Sequence, residues 1–379
     1  MLSRRLLLGG AAVLAAGAAA RPALAQGVRV GVDAPGAAQA RAIVQEMMAQ
    51  AHAPAMSAAV SVGGEVVWAE AFGLADLETH APATISGRYR LASVSKLITG
   101  ATAARLAERG AIDLDRPIGR YRPSLPQTHH AITLRQLLAH TGGIRHYIPR
   151  DYDPKAPGGP IDYRPYRTTD DALAVFIHDP LLSAPGEAFN YSTFGYTLAG
   201  AVMESATGKA FPDLVAAEVT RPLALSSVLP ESMTSVIPER VSCYQTQQAT
   251  GQVFKAPAIN PAYKWAGGGY VSTAADIALF CAAFTTPGYL EAGMLRTVFT
   301  PFAPTREPAP VQVGLAWRVD RDGAGRLRAH HAGSIAGGRS IAMLLPEAGV
   351  SVVVLSNLSD LPVDPLSPAQ RIAEGFLAS

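Results

Sequence analysis

Two sets of short apolar runs, one near each end of the 379-residue chain, enclose a long middle with helical spacing. Near the amino end, residues 56–62 and 65–72 are strand-like and Gly63-Gly64 lies between them, the signal of a hairpin. Near the carboxyl end, residues 313–320 and 327–331 flank a turn at Asp322-Gly323. Residues 340–345 and 350–356 flank another at Glu347-Ala348-Gly349, and a last helix is predicted over 367–377. The middle reads as helices. One opens at Ser93 and stops at Gly110. A short one opens at Thr133, whose Thr-x-x-Gln136 spacing is a capping box, and ends near Thr141-Gly142-Gly143. Others cover 169–178, 194–205 and 211–220, and one capped by Ser272 or Thr273 runs to Phe284. Residues 147–166 have no apolar period and read as a long loop over a cleft. The expected fold is α/β of the α+β kind. Both chain ends share one antiparallel sheet (about 40–95 and 310–379) with flanking helices, and a helical lobe (about 96–309) is inserted between.

Charged residues make up 16% of the chain and hydrophobic ones 49%, which excludes disorder. A net charge of +2 gives no reason to expect nucleic acid or an acidic surface as partner. The first 25 residues read as an address: Ser3-Arg4-Arg5-Leu6-Leu7 resembles a twin-arginine export signal, and Ala23-Leu24-Ala25 is an A-x-A cleavage site. The expectation is export to the periplasm, a single domain over 26–379, and no stable membrane span after cleavage. Cys281 falls on a helical stripe with Ile277, Phe280 and Phe284 and reads as a buried free thiol. Neither cysteine has metal-ligand spacing with histidine, so no metal and no cofactor are expected.

The chemistry centres on Ser93-Val-Ser-Lys96. Three residues apart on a helix, Ser93 and Lys96 share a face, and a lysine whose neutral form is accessible can take the serine proton. The start of a helix also suits a forming oxyanion. Farther on, Tyr191-Ser-Thr193 places a tyrosine at a loop-to-helix junction, where its hydroxyl can relay protons. His331-Ala-Gly333-Ser334 ends a strand. Gly333 would let a ligand backbone lie close to the strand edge, and the Ser334 amide could serve as an oxyanion donor beside that of Ser93. His331 could hold a substrate carboxylate or pass a proton. In isolation each element also has an ordinary reading: a solvated serine and lysine, a core tyrosine, a strand-end histidine satisfied by hydrogen bonds.

In this order the three elements resemble the S-x-x-K, Y-x-N and K-T-G or H-x-G motifs of the penicillin-recognising serine hydrolases. The chain is similar to the class C β-lactamase and D-Ala-D-Ala carboxypeptidase branch, and its motifs most resemble the mitochondrial serine β-lactamase-like members. Supporting stretches are 132–142, Gly143-Ile-Arg-His-Tyr147, 191–198, Tyr263-Lys-Trp-Ala-Gly-Gly-Gly269 and 266–273, so the resemblance spans roughly 43–357. It implies a β-lactamase/transpeptidase-like fold and acyl transfer: Ser93 attacks, Lys96 is its base, Tyr191 shuttles the proton, and the amides of Ser93 and Ser334 hold the oxyanion. Which of Lys96 and Tyr191 is the stronger base stays open. The implied partner is a small peptide or D-amino-acid amide first, an ester second, a β-lactam third. A weak β-lactamase, a non-catalytic binder of cell-wall peptides and an assembly protein are the rivals.

Two departures qualify the resemblance. Thr193 stands where relatives carry an asparagine that binds the substrate amide, and His331 stands where β-lactamases carry lysine. Both disfavour antibiotic hydrolysis. An unperturbed histidine changes charge near about pH 6.5, so carboxylate binding through His331 would strengthen on acidification.

Overall fold

The computed structural model describes residues 29–247, 249–306, 310–359 and 364–377. The export signal and its cleavage site lie outside the described residues. Strands β1 (Arg29–Val30), β2 (Ala55–Val62) and β3 (Glu65–Asp76) come from the amino end. Strands β4 (Arg318–Arg321), β5 (Leu327–Ile335), β6 (Gly338–Leu345) and β7 (Val350–Ser356) come from the carboxyl end. They pair in the order β1-β3-β2-β7-β6-β5-β4, every pair antiparallel, and β7 against β2 joins the two chain ends. The Gly63-Gly64 turn has φ of 59° and 93°, the left-handed pair that a two-residue hairpin matched to strand twist requires.

Both faces of the sheet are covered, which is why its central strands are nearly continuous apolar runs. Alternate residues sort to opposite sides. Met56, Ala58, Val60, Val352 and Val354 pack with helices α1 (Ala37–Ala51) and α5 (Leu366–Leu377). Ala55, Ala59, Val353 and Leu355 belong to the larger core, which continues through α2 (Ser95–Glu108), α3 (Thr193–Thr207) and α4 (Ala274–Ala282). The expected antiparallel sheet with an inserted helical lobe is the observed architecture.

Particular elements differ from expectation. The strand predicted over 313–320 is confined to Arg318–Arg321. Ala316 adopts φ 71° and the Gly314 amide donates to the Trp317 carbonyl, a tight turn that drives Trp317 into the core against Phe280, Phe284 and Phe299. The helix predicted over 169–178 is only Thr169–Leu173. The one over 211–220 is Phe211–Val215 followed by a wider π-turn, Ala216–Thr220. Helices Ala37–Ala51 and Ala292–Phe299 were not anticipated. The capping box at Thr133 and Gln136 is present, and Thr273 caps α4. Within 147–166 the chain is mostly loop, pinned by buried Arg145, which donates to both oxygens of Asp151 (2.7 and 3.0 Å) and to Asp179 (2.5 Å). Cys243 and Cys281 are unpaired, and Cys281 is buried as expected. Among the described residues no helix is long and apolar enough to cross a membrane.

Candidate active site

The segment that carries Ser93 is built under constraint. Ala92 sits at φ 46°, a left-handed conformation that costs a residue bearing a Cβ about 1–3 kcal/mol. It opens a tight turn, Ala92–Val94, that passes into α2. Val94, Leu97, Ile98 and Ala101 bury the face predicted for them and hold the turn down. Ser93 remains half-buried on the other side.

Lys96 is fully buried and its Nζ reaches three oxygens: Ser93 Oγ at 3.1 Å, Thr193 Oγ1 at 3.2 Å and the Gly267 carbonyl at 2.6 Å. A carbonyl can only accept, so one N–H is committed to Gly267. A neutral amine has one more N–H, suited to Thr193, and a lone pair that can face the Ser93 proton. Burial lowers the Lys96 pKa, and Arg318 lowers it further against the opposing influence of Tyr191. Gly267 has to be glycine: a Cβ there would lie 2.5 Å from Thr193 Cγ2.

Tyr191 Oη lies 2.9 Å from Ser93 Oγ, so the serine hydroxyl sits between the lysine and the tyrosine. Burial pushes the phenol up, but Lys96, its hydrogen bonds and Arg318 outweigh this and leave its pKa below the ordinary value. Two histidines that sequence reading left unassigned support it. His140 Nδ1 accepts from the Ser192 amide (3.1 Å) and His146 Nδ1 from the Thr193 amide (3.3 Å). Their rings lie 4.3 and 5.3 Å from that of Tyr191. Burial, then Lys96, holds His140 well below the usual imidazole range and His146 at about 4, so both stay neutral acceptors near neutral pH. The Ser192 hydroxyl caps α3 by accepting from Gly195 N–H (2.8 Å).

Three site expectations change. Thr193 is buried with its hydroxyl against Lys96, so it completes the lysine's shell instead of standing open to a substrate amide. The close approach allowed by Gly333 is made by the protein itself: a Cβ would lie 2.6 Å from the Leu91 carbonyl and 2.9 Å from Ala92 Cβ. His331 is buried, and its Nδ1–H donates to the Ala332 carbonyl at 2.7 Å. Burial, then Lys96 and Arg318, hold its pKa well below the usual imidazole range, so it stays neutral near neutral pH.

The cation at this end of the cleft is Arg318, which sequence reading missed. Its guanidinium lies 5.8 Å from the Tyr191 ring centroid and forms no ion pair among the described residues. It stands at the start of β4, opposite His330 at the edge of the sheet. The same register orients Ser334. The Val319 amide donates away from β5, to Gln312 O, which makes Arg318–His330 the hydrogen-bonded pair. By alternation the amides of residues 332 and 334 turn to that side, where β4 no longer covers the strand.

With this geometry in view, a family model described as Beta-lactamase matches residues 40–376. The chain belongs to the β-lactamase family. It is 28% identical to the human serine beta-lactamase-like protein LACTB, mitochondrial, over 89% of this chain and 79% of that protein. It is 32% identical to Esterase EstB of Burkholderia gladioli over 54% of this chain and 53% of that one. The fold matches a D-stereospecific amidohydrolase from Streptomyces sp. with a TM-score of 0.73 and 26% identity, covering 89% of this chain and 99% of the other. This β-lactamase-fold family is one of hydrolases, with an esterase and an amidohydrolase among the relatives of this chain.

Proposed function

We propose that this protein is a serine hydrolase that forms an acyl-enzyme on Ser93. The observation that carries the reading is one oxygen, Ser93 Oγ, within hydrogen-bond reach of both Lys96 Nζ and Tyr191 Oη. Neutral Lys96 takes the Ser93 proton as Oγ attacks the carbonyl. Tyr191 hands a proton to the leaving group and Lys96 replenishes it. The amides of Ser93 and Ser334 receive the developing oxyanion, a placement worth about 3 kcal/mol per donor. Water then attacks the acyl group by the reverse relay and returns the proton to Ser93.

The substrate class is a small peptide or D-amino-acid amide, then a carboxylic ester, with β-lactams last. The printed names of relatives, an esterase and an amidohydrolase, support this order. Neutral His331 supplies no cation for a β-lactam carboxylate. Arg318, beside Tyr191 and without an ion pair among the described residues, supplies one from a different strand and favours an acyl group or leaving group that bears a carboxylate. The test is intact-protein mass after exposure to a fluorophosphonate, short esters, D-Ala-D-Ala peptides and a panel of β-lactams. A single adduct on Ser93 and turnover of the amide or ester are expected. No adduct with any acyl donor would overturn the reading. Fast penicillin turnover would reverse the ranking.

The amino-terminal Arg4-Arg5 pair and A-x-A site further support a proposal of export to the periplasm by the twin-arginine route. Arg4→Lys with Arg5→Lys should leave the protein in the cytoplasm on fractionation. Unchanged delivery would reject that route.

A further inference from the structure

The two amides assigned to the oxyanion come from pieces of chain that are remote in sequence, the Ser93 turn and the end of β5. Something has to set their separation. Between them lies a buried ion pair, Arg90 with Glu231, that the proposed chemistry does not use.

Arg90 stands three residues before Ser93. Its Nε–H is shared between the two Glu231 oxygens at 2.8 and 3.0 Å. Its Nη1 donates across to the Ala336 carbonyl at 2.5 Å. Ala336 is at the tip of the β5–β6 hairpin, two residues past Ser334. The hairpin rests directly on the arginine: a Cβ at Gly338 would lie 2.8 Å from Arg90 Cβ. Glu231 is anchored through its backbone. Its amide donates to Gly269 O (2.7 Å), and its carbonyl accepts from Trp265 Nε1 (2.9 Å). Those partners flank Gly267, whose carbonyl holds Lys96. One guanidinium therefore joins the segment leading into the Ser93 turn, the β5–β6 hairpin and the segment that holds Lys96.

Stability alone does not account for this pair. Two buried charges gain little over well-packed apolar side chains of the same volume. What apolar side chains cannot do is donate to the hairpin carbonyl while locked to a fixed carboxylate.

We infer that Arg90, held by Glu231, is a positioning residue that sets the distance between the Ser93 and Ser334 amides. This rests on the hydrolase reading above. The discriminating variant is the double replacement Arg90→Met with Glu231→Leu, which removes both charges together and so avoids a lone buried ion. It is compared with the wild type by thermal melting, by kcat and KM on a small ester, and by the rate ratio of that ester to its thionoester. Sulfur fits an oxygen-sized hole poorly, so the ratio reports the spacing of the donors. The expected result is a folded protein whose kcat falls by about tenfold to a hundredfold at unchanged KM, with a reduced oxygen-over-sulfur preference. Arg90→Lys keeps a charge for Glu231 but loses the planar fork, and should lose part of the rate and part of the preference. If the double variant does not fold, Arg90→Lys decides alone. Unchanged kcat and unchanged preference in a folded variant overturn the positioning role. A wild type that no fluorophosphonate labels overturns the hydrolase reading, and this proposal with it. A wild type and variant labelled equally fast overturn only this proposal.

Discussion

The two walls of the cleft are built differently. On the helical wall the groups around Ser93 are held by one another: Lys96 by three oxygens, Tyr191 by Ser93, and Nδ1 of His140 and of His146 by backbone amides. On the strand wall His331 is committed to the Ala332 carbonyl, but other groups are unspent. Arg318 has no ion pair among the described residues, and the edge of β5 beyond His330 is left uncovered by β4. A saturated wall holds proton donors and acceptors at fixed distances, which acid–base chemistry requires. An unsaturated wall keeps its hydrogen bonds for a substrate. On the proposed chemistry, the difference puts proton transfer on the helical side, and substrate selection together with one oxyanion donor on the strand side.

The comparison breaks most visibly at the helical wall. Ser93→Ala should abolish acylation, and Lys96→Met should lower its rate by about 3 kcal/mol or more of activation free energy. The double variant should be no worse than the worse single one, because the groups act as a unit. Near-normal acylation by a folded Lys96→Met protein would move the base elsewhere. Tyr191→Phe keeps the ring between His140 and His146 and removes only the hydroxyl. A loss of about a hundredfold in kcat is expected, with melting temperature little changed.

The strand wall should respond through selection. Arg318→Met should reduce kcat/KM by about tenfold for a carboxylate-bearing ester and scarcely alter a neutral ester of matched size. Equal losses on both would show that Arg318 acts only through Tyr191. Because burial holds His331 well below its ordinary value, the charged-to-neutral rate ratio of the wild type should stay flat as pH falls through about 6.5, where an unperturbed histidine would gain charge. A ratio that rises on acidification would restore His331 as the carboxylate contact.

The smallest effect concerns pH and stability. His146 has its folded pKa lowered to about 4, against about 6.5 in an unfolded chain. Between these values the unfolded state binds more protons, so stability is full above about pH 6.5 and declines as pH falls toward 4. His330, also lowered to about 4 mainly by burial, acts in the same direction. Denaturant midpoints measured across that window should fall with pH, and His146→Gln should flatten the decline by one histidine's share. Acylation has the opposite arm. Lys96 is lowered from the ordinary lysine value, so the rate should level off with rising pH before about 10.5. A plateau reached only at that value would exclude Lys96 as the base.

Much of the fold was readable because it depends on local periodicity. The runs ending at Val62 and Ser356, the Gly63-Gly64 turn and the Thr133–Gln136 cap are patterns of neighbours, and each appears where its pattern lies. The chain by itself also determined the helical face beneath Ser93 and the sharing of one face by Ser93 and Lys96, since three-residue spacing on a helix leaves no alternative. Tertiary structure alone decided the rest. Arg318 is a residue like any other until the folded chain brings its guanidinium within 5.8 Å of the Tyr191 ring centroid, 127 positions away in sequence. The neutrality of His331, His140 and His146 follows from burial and from the nearby Lys96, neither of which a string of letters contains. The closeness expected between Gly333 and a ligand is instead closeness to Leu91 and Ala92, because two segments far apart in sequence had to pack before either could be measured against the other.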